Sequence, residues 1–174
     1  MDNLSDPHLK YHTFEKIVSL HDDNISVYYS IINFNGDFKR GIYLTMTNDD
    51  IIGEFGIKGG GLNQQFDSGK TNDMHICIDD NYQGYGLSKI MIKYMIDMIY
   101  KDIPNINGEQ MIFIDADASA GFWDKIGMIE SKRYGYDRNP KYADREGAGY
   151  EKYITINKLY KFSKSFSKNL CPDG

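Results

Sequence analysis

The hydrophobic pattern of this chain changes its period at a pair of glycines, Gly84 and Gly86. Before them, apolar residues occur in short runs rich in β-branched and aromatic side chains, which is typical of strands. After them, apolar residues recur at the spacing of one helical face: Leu87, Ile90, Met91, Tyr94, Met95, Met98 and Ile99. A strand therefore ends, the chain turns tightly and an amphipathic helix begins within a few residues. This junction favours a fold in which strand, helix and strand form a central crossover.

Strands dominate the chain before this junction. The sequence predicts consecutive strands at 11–20, 25–34, 38–47 and 50–58. Turn-forming residues separate them, and the Asn35-Gly36 pair favours a tight hairpin, so we expect an antiparallel meander. A polar, glycine-rich loop at 59–70 leads into a fifth strand at about 72–79.

Strands and helices alternate after the junction. Further strands are predicted at 110–116, 128–137 and 149–158. A second helix is expected from about 118 to 126, with Asp117 as its N-cap and Gly127 as its stop. The predicted fold class is α/β or α+β, with an N-terminal strand meander and one central crossover.

Size and composition favour one domain of ordinary dimensions. The 174 residues include 41% hydrophobic and 26% charged side chains, which is a mixture that can form a real core. We expect this domain to span residues 1–158. The lysine- and serine-rich residues 159–174 predict a flexible tail.

Charge and apolar run lengths argue against two classes of partner. The formal net charge of −5 disfavours nucleic acid and favours a cationic partner only weakly. No apolar run approaches the ~18 residues that span a bilayer, and the first ten residues lack the layout of a secretory signal. Cys77 and Cys171 cannot form a disulfide framework, which fits a reducing compartment. We therefore expect a cytoplasmic protein that binds neither nucleic acid nor membrane.

The glycine junction is also a candidate anion site. N–H groups at a helix N-terminus lack intrahelical acceptors and carry partial positive charge. Gly84 and Gly86 would let a pyrophosphate approach the main chain, and Ser88 could add a hydroxyl donor. A glycine-containing turn with no ligand is the alternative. A P-loop is excluded because Gln64 replaces its first glycine, and a dinucleotide fingerprint is excluded because Lys89 replaces its third.

Two segments resemble signatures of the GNAT superfamily of N-acetyltransferases. Residues 82–95, YQGYGLSKIMIKYM, resemble its acyl-CoA-binding motif, which Gln83 and Gly86 match. Residues 121–128, GFWDKIGM, resemble its second signature, a short aromatic helix that ends in Lys-x-Gly. The resemblance covers about residues 70–137. It implies a mixed, mostly antiparallel sheet whose central strands splay apart.

The resemblance also implies acetyl-CoA as a co-substrate, with no metal. The pantetheine arm would pair with main-chain groups near Ile76, Cys77 and Ile78. The pyrophosphate would rest on N–H groups of Gln83, Gly84, Tyr85, Gly86, Leu87 and Ser88. The pantetheine and thioester would be bordered by Ser119, Phe122 and Trp123. Cys77 is expected to be a small core residue that lines the slot, with no nucleophilic role.

The implied reaction is direct attack of a neutral amine on the acetyl thioester in a ternary complex. N–H groups near Ile78 would stabilise the oxyanion. Many family members carry a tyrosine as general acid where this chain has Trp123, whose indole is no acid near neutral pH. The Phe122-Trp123 pair looks more like the histone-acetyltransferase branch, which uses a carboxylate base on the strand before the junction.

A base must take the proton of the amine, and three residues are candidates. They are, in order, Asp73, His75 and Glu54. Each has a structural alternative: a polar strand start for Asp73, an ordinary position in a half-buried strand for His75, and a solvent-facing charge for Glu54.

The acceptor is expected to be a small cationic amine or an aminosugar. A protein lysine or N-terminus is the alternative acceptor, and a catalytically weak acyl-CoA-binding scaffold is the alternative function. The predicted meander stands where this family usually places two helices between its first strands. The loops at 59–70 and 138–148 would then shape the acceptor cleft, and the protein would be a monomer or a homodimer.

Overall fold

The four strands predicted before the glycine junction form the expected antiparallel meander. They are β1 (His12–Leu20), β2 (Ile25–Phe34), β3 (Asp37–Met46) and β4 (Ile51–Lys58), and each pairs with the next. The connections at 21–24, 35–36 and 47–50 are too short to hold the two helices that the resemblance implies. The predicted N-terminal meander is therefore confirmed.

The remaining described elements include both strands and helices. They are β5 (Asn72–Ile78), α1 (Leu87–Asp102), β6 (Met111–Asp115), α2 (Ala120–Ile126), β7 (Ile129–Glu130), β8 (Glu151–Thr155) and α3 (Ile156–Phe166). This computed structural model describes residues 12–20, 24–34, 37–58, 72–115, 120–130 and 151–166. The strands within these ranges make one eight-stranded sheet in the order β1-β2-β3-β4-β5-β6-β8-β7.

The central pair of this sheet is parallel and short. β5 pairs with β6 only where Asn72 and Asp73 lie beside Ile112 and Phe113. The Asn72 side chain donates to the Met111 carbonyl at 3.1 Å and so ties the two strands together at this point. Beyond Asp73 the described residues continue no pairing, and the strands separate towards the end of β5. We call the gap between 74–78 and the end of β6 the slot. The predicted fold class, a mostly antiparallel sheet with splayed central strands and a central crossover, is confirmed.

The two faces of the sheet differ in chemistry because strand side chains alternate. On one face, Phe55, Ile57 and Met74 are buried with the apolar side of α1, and α2 and α3 contribute Trp123 and Leu159 to the same core. We call this the helix face. We call the other the polar face; in β3, β4 and β5 it carries Lys39, Tyr43, Glu54, Asp73, His75 and Cys77.

The end of the described chain corrects the prediction. Residues 156–158 were expected to extend a strand and residues 159–166 to belong to a flexible tail, but both lie in α3. Ile156 and Leu159 are fully buried, and the Tyr160 ring stacks on Tyr100 with centroids 4.3 Å apart. The helix is stable here because it covers apolar surface of α1, a contact that its own composition does not reveal. Residues 167–174 lie outside the described residues.

The N-terminus of α3 is closed by hydrogen bonds. The Thr155 hydroxyl accepts from the Lys158 N–H at 3.3 Å, which is an N-cap contact. The N–H groups of Ile156 and Asn157 donate to carbonyls of the loop 108–110, each at 2.9 Å. These bonds begin the helix directly after β8 and satisfy N–H groups of its first turn.

The helix α2 ends as predicted. Gly127 follows it with φ of 101°, a left-handed conformation that favours glycine. The expected N-cap Asp117, the loop at 59–70 and the loop at 138–148 lie outside the described residues. Of the strand predicted at 128–137, the structure describes only β7. None of the described helices is long and apolar enough to span a membrane.

Candidate active site

The turn after β5 is fixed by side chains of its own residues. Asp79 accepts from the Asn81 N–H at 2.9 Å and starts a short 3₁₀ turn over Asp80–Tyr82. The Gln83 amide then donates to the Ile78 carbonyl and to the Asp80 carboxylate, both at 3.0 Å. Gln83, which matches the first position of the predicted motif, therefore ties the turn back to the end of β5.

The two glycines of the junction adopt conformations that other residues avoid. Gly84 has φ of 85°, and Gly86, the N-cap of α1, has φ of 77°. The first helical hydrogen bond runs from the Ile90 N–H to the Gly86 carbonyl, and the cap makes no side-chain hydrogen bond to the first turn. A Cβ added at Gly84 would meet no atom within 4 Å, so the space beside the turn is open.

The N-terminus of α1 therefore differs from that of α3. At α3 a threonine hydroxyl and loop carbonyls accept from first-turn N–H groups, whereas at α1 the glycine cap supplies no side-chain acceptor. The positive end of the helix dipole at such a terminus favours an anion. Leu87 is buried and Ser88 is half-buried at this end, while the Tyr85 side chain is exposed.

The edge of β5 that faces the slot is defined by the hydrogen-bond pattern. The Asp79 N–H donates to the Ile52 carbonyl at 2.9 Å, which continues the β4–β5 register. Residues of an antiparallel pair alternate between bonded and non-bonded positions, so Cys77 is also bonded to β4. The main-chain groups of Ile76 and Ile78 then point the other way, into the slot.

This pattern corrects the prediction for Cys77. Its side chain is exposed on the polar face, so it is not a core residue, and its main-chain groups face β4 rather than the slot. The main-chain groups of Ile76 and Ile78 face the slot. The Ile78 carbonyl is taken by Gln83, which leaves the Ile78 N–H and both main-chain groups of Ile76 along the slot.

The two aromatic residues of α2 are not equivalent. Trp123 is fully buried in the core, with its ring 4.8 Å from the Phe122 ring in an edge-on arrangement. Phe122 is half-buried and has surface left to contact a ligand. Trp123 therefore packs against Phe122 from the core side and is not exposed to a ligand. Ser119 lies outside the described residues.

Two of the three candidate bases meet on the polar face. Glu54 on β4 and His75 on β5 are joined by a contact of 3.1 Å between Oε1 and Nε2. Lys39 on β3 donates to the same Glu54 oxygen at 3.1 Å, and its Nζ lies 3.4 Å from His75 Nε2. These three side chains, which we call the Glu54 cluster, are partly exposed.

The charges of the cluster act mainly on Glu54. The hydrogen bond from His75, together with the bond and charge of Lys39, lowers the pKa of Glu54 to about 2 although burial opposes the shift. Tyr43, which is almost fully buried beside it, has a raised pKa because burial and the Glu54 carboxylate both disfavour a phenolate. Glu54 is thus held as a carboxylate, and a carboxylate of such low basicity orients a neighbouring base better than it accepts a proton itself.

Asp73, the first candidate base, lies on the same face of β5 as His75. It is exposed, and it lies across from Lys58 in the β4–β5 register. Sequence reasoning also missed Lys39 and Tyr43, because their approach to Glu54 depends on the register of three strands. Within the described residues, no group of three or more His, Cys, Asp or Glu side chains could hold a metal ion.

The slot and the junction offer a ligand two different kinds of contact. The open N-terminus of α1 suits a phosphate, and the free edge at Ile76 and Ile78 suits an amide-containing arm such as pantetheine. Both features lie at the carboxyl end of β5, where ligands of open α/β sheets commonly bind.

No protein-family model matches this chain, and no curated protein sequence matches it. Among solved structures, it is similar to the spermidine/spermine N-acetyltransferase SpeG of Vibrio cholerae in complex with manganese ions, with 16% identity and a TM-score of 0.46 over 71% of this chain and 68% of that one. It is also similar to a GNAT-family acetyltransferase of Staphylococcus aureus Mu50, with 15% identity and a TM-score of 0.46 over 68% of each chain. Likeness at this level concerns the course of the backbone and assigns no substrate or mechanism to this chain.

Proposed function

We propose that this chain is an acetyl-CoA-dependent N-acetyltransferase of the GNAT type. One observation carries the proposal: β5 diverges from β6 at the same end of the sheet at which α1 begins with a glycine cap that has no side chain. The motif residues Gln83 and Gly86 lie at that end, and each has an identifiable structural role. Gln83 holds the turn against β5, and Gly86 begins the helix without a side chain.

Binding in this proposal is performed largely by main-chain groups. First-turn N–H groups of α1 hold the pyrophosphate, and the slot edge at Ile76 and Ile78 pairs with the pantetheine amides. Phe122 borders the thioester. Acetyl-CoA supplies the activated acetyl group, and the protein brings it beside the acceptor amine in a ternary complex with no covalent intermediate on the enzyme.

Proton removal is assigned to His75. A protonated amine has no lone pair, so its proton must leave before nitrogen can attack the acetyl carbon. His75 is half exposed, and Glu54 holds its Nε2 at 3.1 Å. The carboxylate orients the ring and stabilises the imidazolium that forms, in the way that a carboxylate supports a histidine base elsewhere. The N–H groups at Ile76 and Ile78 are the candidates for stabilising the oxyanion.

The acceptor is a primary amine, and we favour a small cationic amine or an aminosugar. The net charge of −5 and the exposed carboxylate of Asp73 on the same face as His75 support a cationic acceptor. A protein lysine or N-terminus satisfies the same chemistry. The protein would act in the cytoplasm as a monomer or a homodimer.

A second function, a catalytically weak acyl-CoA-binding scaffold, is favoured by Trp123. This residue stands where many GNAT members carry their acid, and it is fully buried. Such a scaffold would bind acetyl-CoA without transferring its acetyl group.

The first experiment tests cofactor binding by thermal melts with acetyl-CoA, CoA, ATP and NAD in parallel. A ligand at about 100 times its dissociation constant adds about 2.7 kcal/mol to the free energy of unfolding, which is roughly 5–10 °C for a chain of this length. We expect a shift with the two CoA species only. The Gly86→Asp variant should lose this shift because a carboxylate would occupy the first-turn N–H groups and repel the pyrophosphate. Gly86→Asn, which has the same shape without the charge, should bind at least about tenfold more tightly than Gly86→Asp. No shift of the wild-type protein with saturating CoA would refute the proposal.

The second experiment separates transfer from binding. Acetyl transfer to a panel of amines distinguishes the enzyme from the scaffold, which would show binding without turnover. His75→Gln should lower kcat by about 10²-fold or more and leave the affinity for acetyl-CoA unchanged. Asp73→Asn is the matched comparison on the same strand and face. If Asp73→Asn abolishes turnover and His75→Gln does not, the base is Asp73 and our assignment is wrong.

A further inference from the structure

A glycine on the polar face makes room for the Glu54 cluster. Gly56 lies between Gly41 on β3 and His75 on β5 in the sheet register. A Cβ added at Gly56 would lie 2.4 Å from His75 Cε1 and 2.4 Å from Lys39 Cε. The two side chains therefore cross the Gly56 backbone in space that any other residue would fill.

The contacts of His75 Nε2 indicate which nitrogen of the neutral ring carries the proton. His75 Nε2 lies 3.1 Å from a Glu54 carboxylate oxygen, which only accepts hydrogen bonds, and 3.4 Å from the Lys39 ammonium, which only donates. The shorter contact requires Nε2 to donate to Glu54. Lys39 donates to the same Glu54 oxygen at 3.1 Å, so both donors converge on one acceptor. The neutral ring is then left with its lone pair on Nδ1.

We propose that Lys39 is a positioning residue of the active site: lying with His75 across Gly56, it holds Glu54 in the orientation that keeps the proton of neutral His75 on Nε2. This inference rests on the proposed function. In the reaction, the N–H bond of the acceptor ammonium breaks, its proton joins the lone pair of His75 Nδ1, and the electron pair stays on the acceptor nitrogen. The product is an imidazolium whose Nε2–H still donates to Glu54.

The tautomer can be measured without any activity. Nitrogen-15 NMR of the histidine side chains, with His75 assigned by comparison with His75→Gln, distinguishes Nε2–H from Nδ1–H in the neutral ring. We expect Nε2–H in the wild-type protein, and a mixture of tautomers in Lys39→Met and in Gly56→Ala. Lys39→Arg should restore the wild-type signal because a guanidinium can donate to the same oxygen. A wild-type ring in the Nδ1–H form, or a Lys39→Met spectrum equal to wild type, would overturn the inference.

Kinetics supply the second readout and a matched control. Gly56→Ala and Lys39→Met should each lower kcat at least tenfold while the affinity for acetyl-CoA stays unchanged. Gly53→Ala lies on the same strand but on the helix face, where its Cβ would meet the flexible ends of Leu44 and Met91 at 3.2 and 3.3 Å, and it should keep kcat near wild type. If Gly56→Ala does not fold, Lys39→Met alone decides. If Lys39→Met binds acetyl-CoA and its kcat equals that of the wild type, the inference is contradicted. Absence of CoA binding refutes the proposed function and leaves the tautomer result standing.

Discussion

Two glycines of this chain share a left-handed conformation but not their surroundings, and this difference yields a prediction. Gly84 has φ of 85° and open space where a Cβ would stand, whereas Gly127 has φ of 101° and would bring a Cβ to 2.7 Å from Cε2 and 2.9 Å from Cζ of Phe162. Alanine at either position adopts a strained backbone, which costs roughly 1–2 kcal/mol of stability. Only Gly127→Ala also forces a ring of α3 to move, and overpacking of this kind costs about 1–3 kcal/mol more.

Equilibrium unfolding in urea measures both variants on the ligand-free protein. We expect Gly127→Ala to lose about 2–5 kcal/mol and Gly84→Ala about 1–2 kcal/mol. Adding Phe162→Leu to Gly127→Ala should recover part of the loss, since the smaller side chain relieves the contact, and a double-mutant cycle isolates this coupling. Equal destabilisation by the two alanines, with no coupling to Phe162, would show that α3 does not pack against the end of α2 and would refute the reasoning.

Two further predictions concern the charges of the fold. The folded pKa of Glu54, about 2, lies below its ordinary value of 4.5, so its contribution to stability is present above about pH 4.5 and is lost as the pH falls towards 2. Since the side chain is 36% exposed, we expect solvent screening to limit this contribution to about 1 kcal/mol. The free energies of unfolding of wild type and Glu54→Gln, measured in urea, should therefore converge on acidification. A difference that stays constant from pH 7 to pH 3 would contradict this prediction. On the helix face, the Asp102 carboxylate lies 2.5 Å from the Arg40 guanidinium, which is 2% exposed, and accepts from the Tyr29 hydroxyl at 2.9 Å. Asp102→Asn should cost about 3 kcal/mol by leaving a buried charge without its carboxylate, and Arg40→Met in that background should recover part of it; a loss below about 1 kcal/mol would mean that the pair is solvated.

The strands could be predicted from the sequence because their signals are local. β1 to β5 combine β-branched and aromatic runs with turn residues between them, and the period of α1 begins directly after Gly86. α3 was not predicted because one of its three fully buried positions is a serine, which interrupts the apolar pattern. These positions are Ile156, Leu159 and Ser163. The Ser163 hydroxyl donates to the Tyr160 carbonyl at 2.7 Å, so the buried polar group is hydrogen-bonded. The Thr155 N-cap was the signal that could have located the start of this helix.

The glycine junction could be located from the sequence, and the candidate bases could not be ordered from it. The glycine junction is contiguous in sequence, so its residues are adjacent in any fold that contains it. The strand edge is different: whether Ile76 or Cys77 faces the slot depends on one hydrogen bond between Asp79 and Ile52, which fixes the alternation of the whole pair. A sequence shows which residues share a face of the strand, but not which main-chain groups are already used by a neighbour.

The contacts of the candidate bases also depend on neighbouring strands, but glycines in those strands are a signal that the sequence does contain. From the sequence of one strand alone, a glutamate that alternates with apolar residues is interpreted as a solvent-facing charge. Here Glu54 receives side chains from both neighbouring strands, and glycines make this possible: the Tyr43 ring lies over Gly41, at 2.8 Å from where a Cβ would stand, and Lys39 and His75 cross Gly56. Glycine weakens a strand and is therefore expected at places where another group approaches the backbone closely. Gly41 and Gly56 are cross-strand partners, so the two glycines lie side by side in the sheet next to Glu54. A strand glycine two residues from a carboxylate is thus a reason to ask which neighbouring side chains fill the gap. In this chain they are Lys39 and His75, which lower the pKa of Glu54.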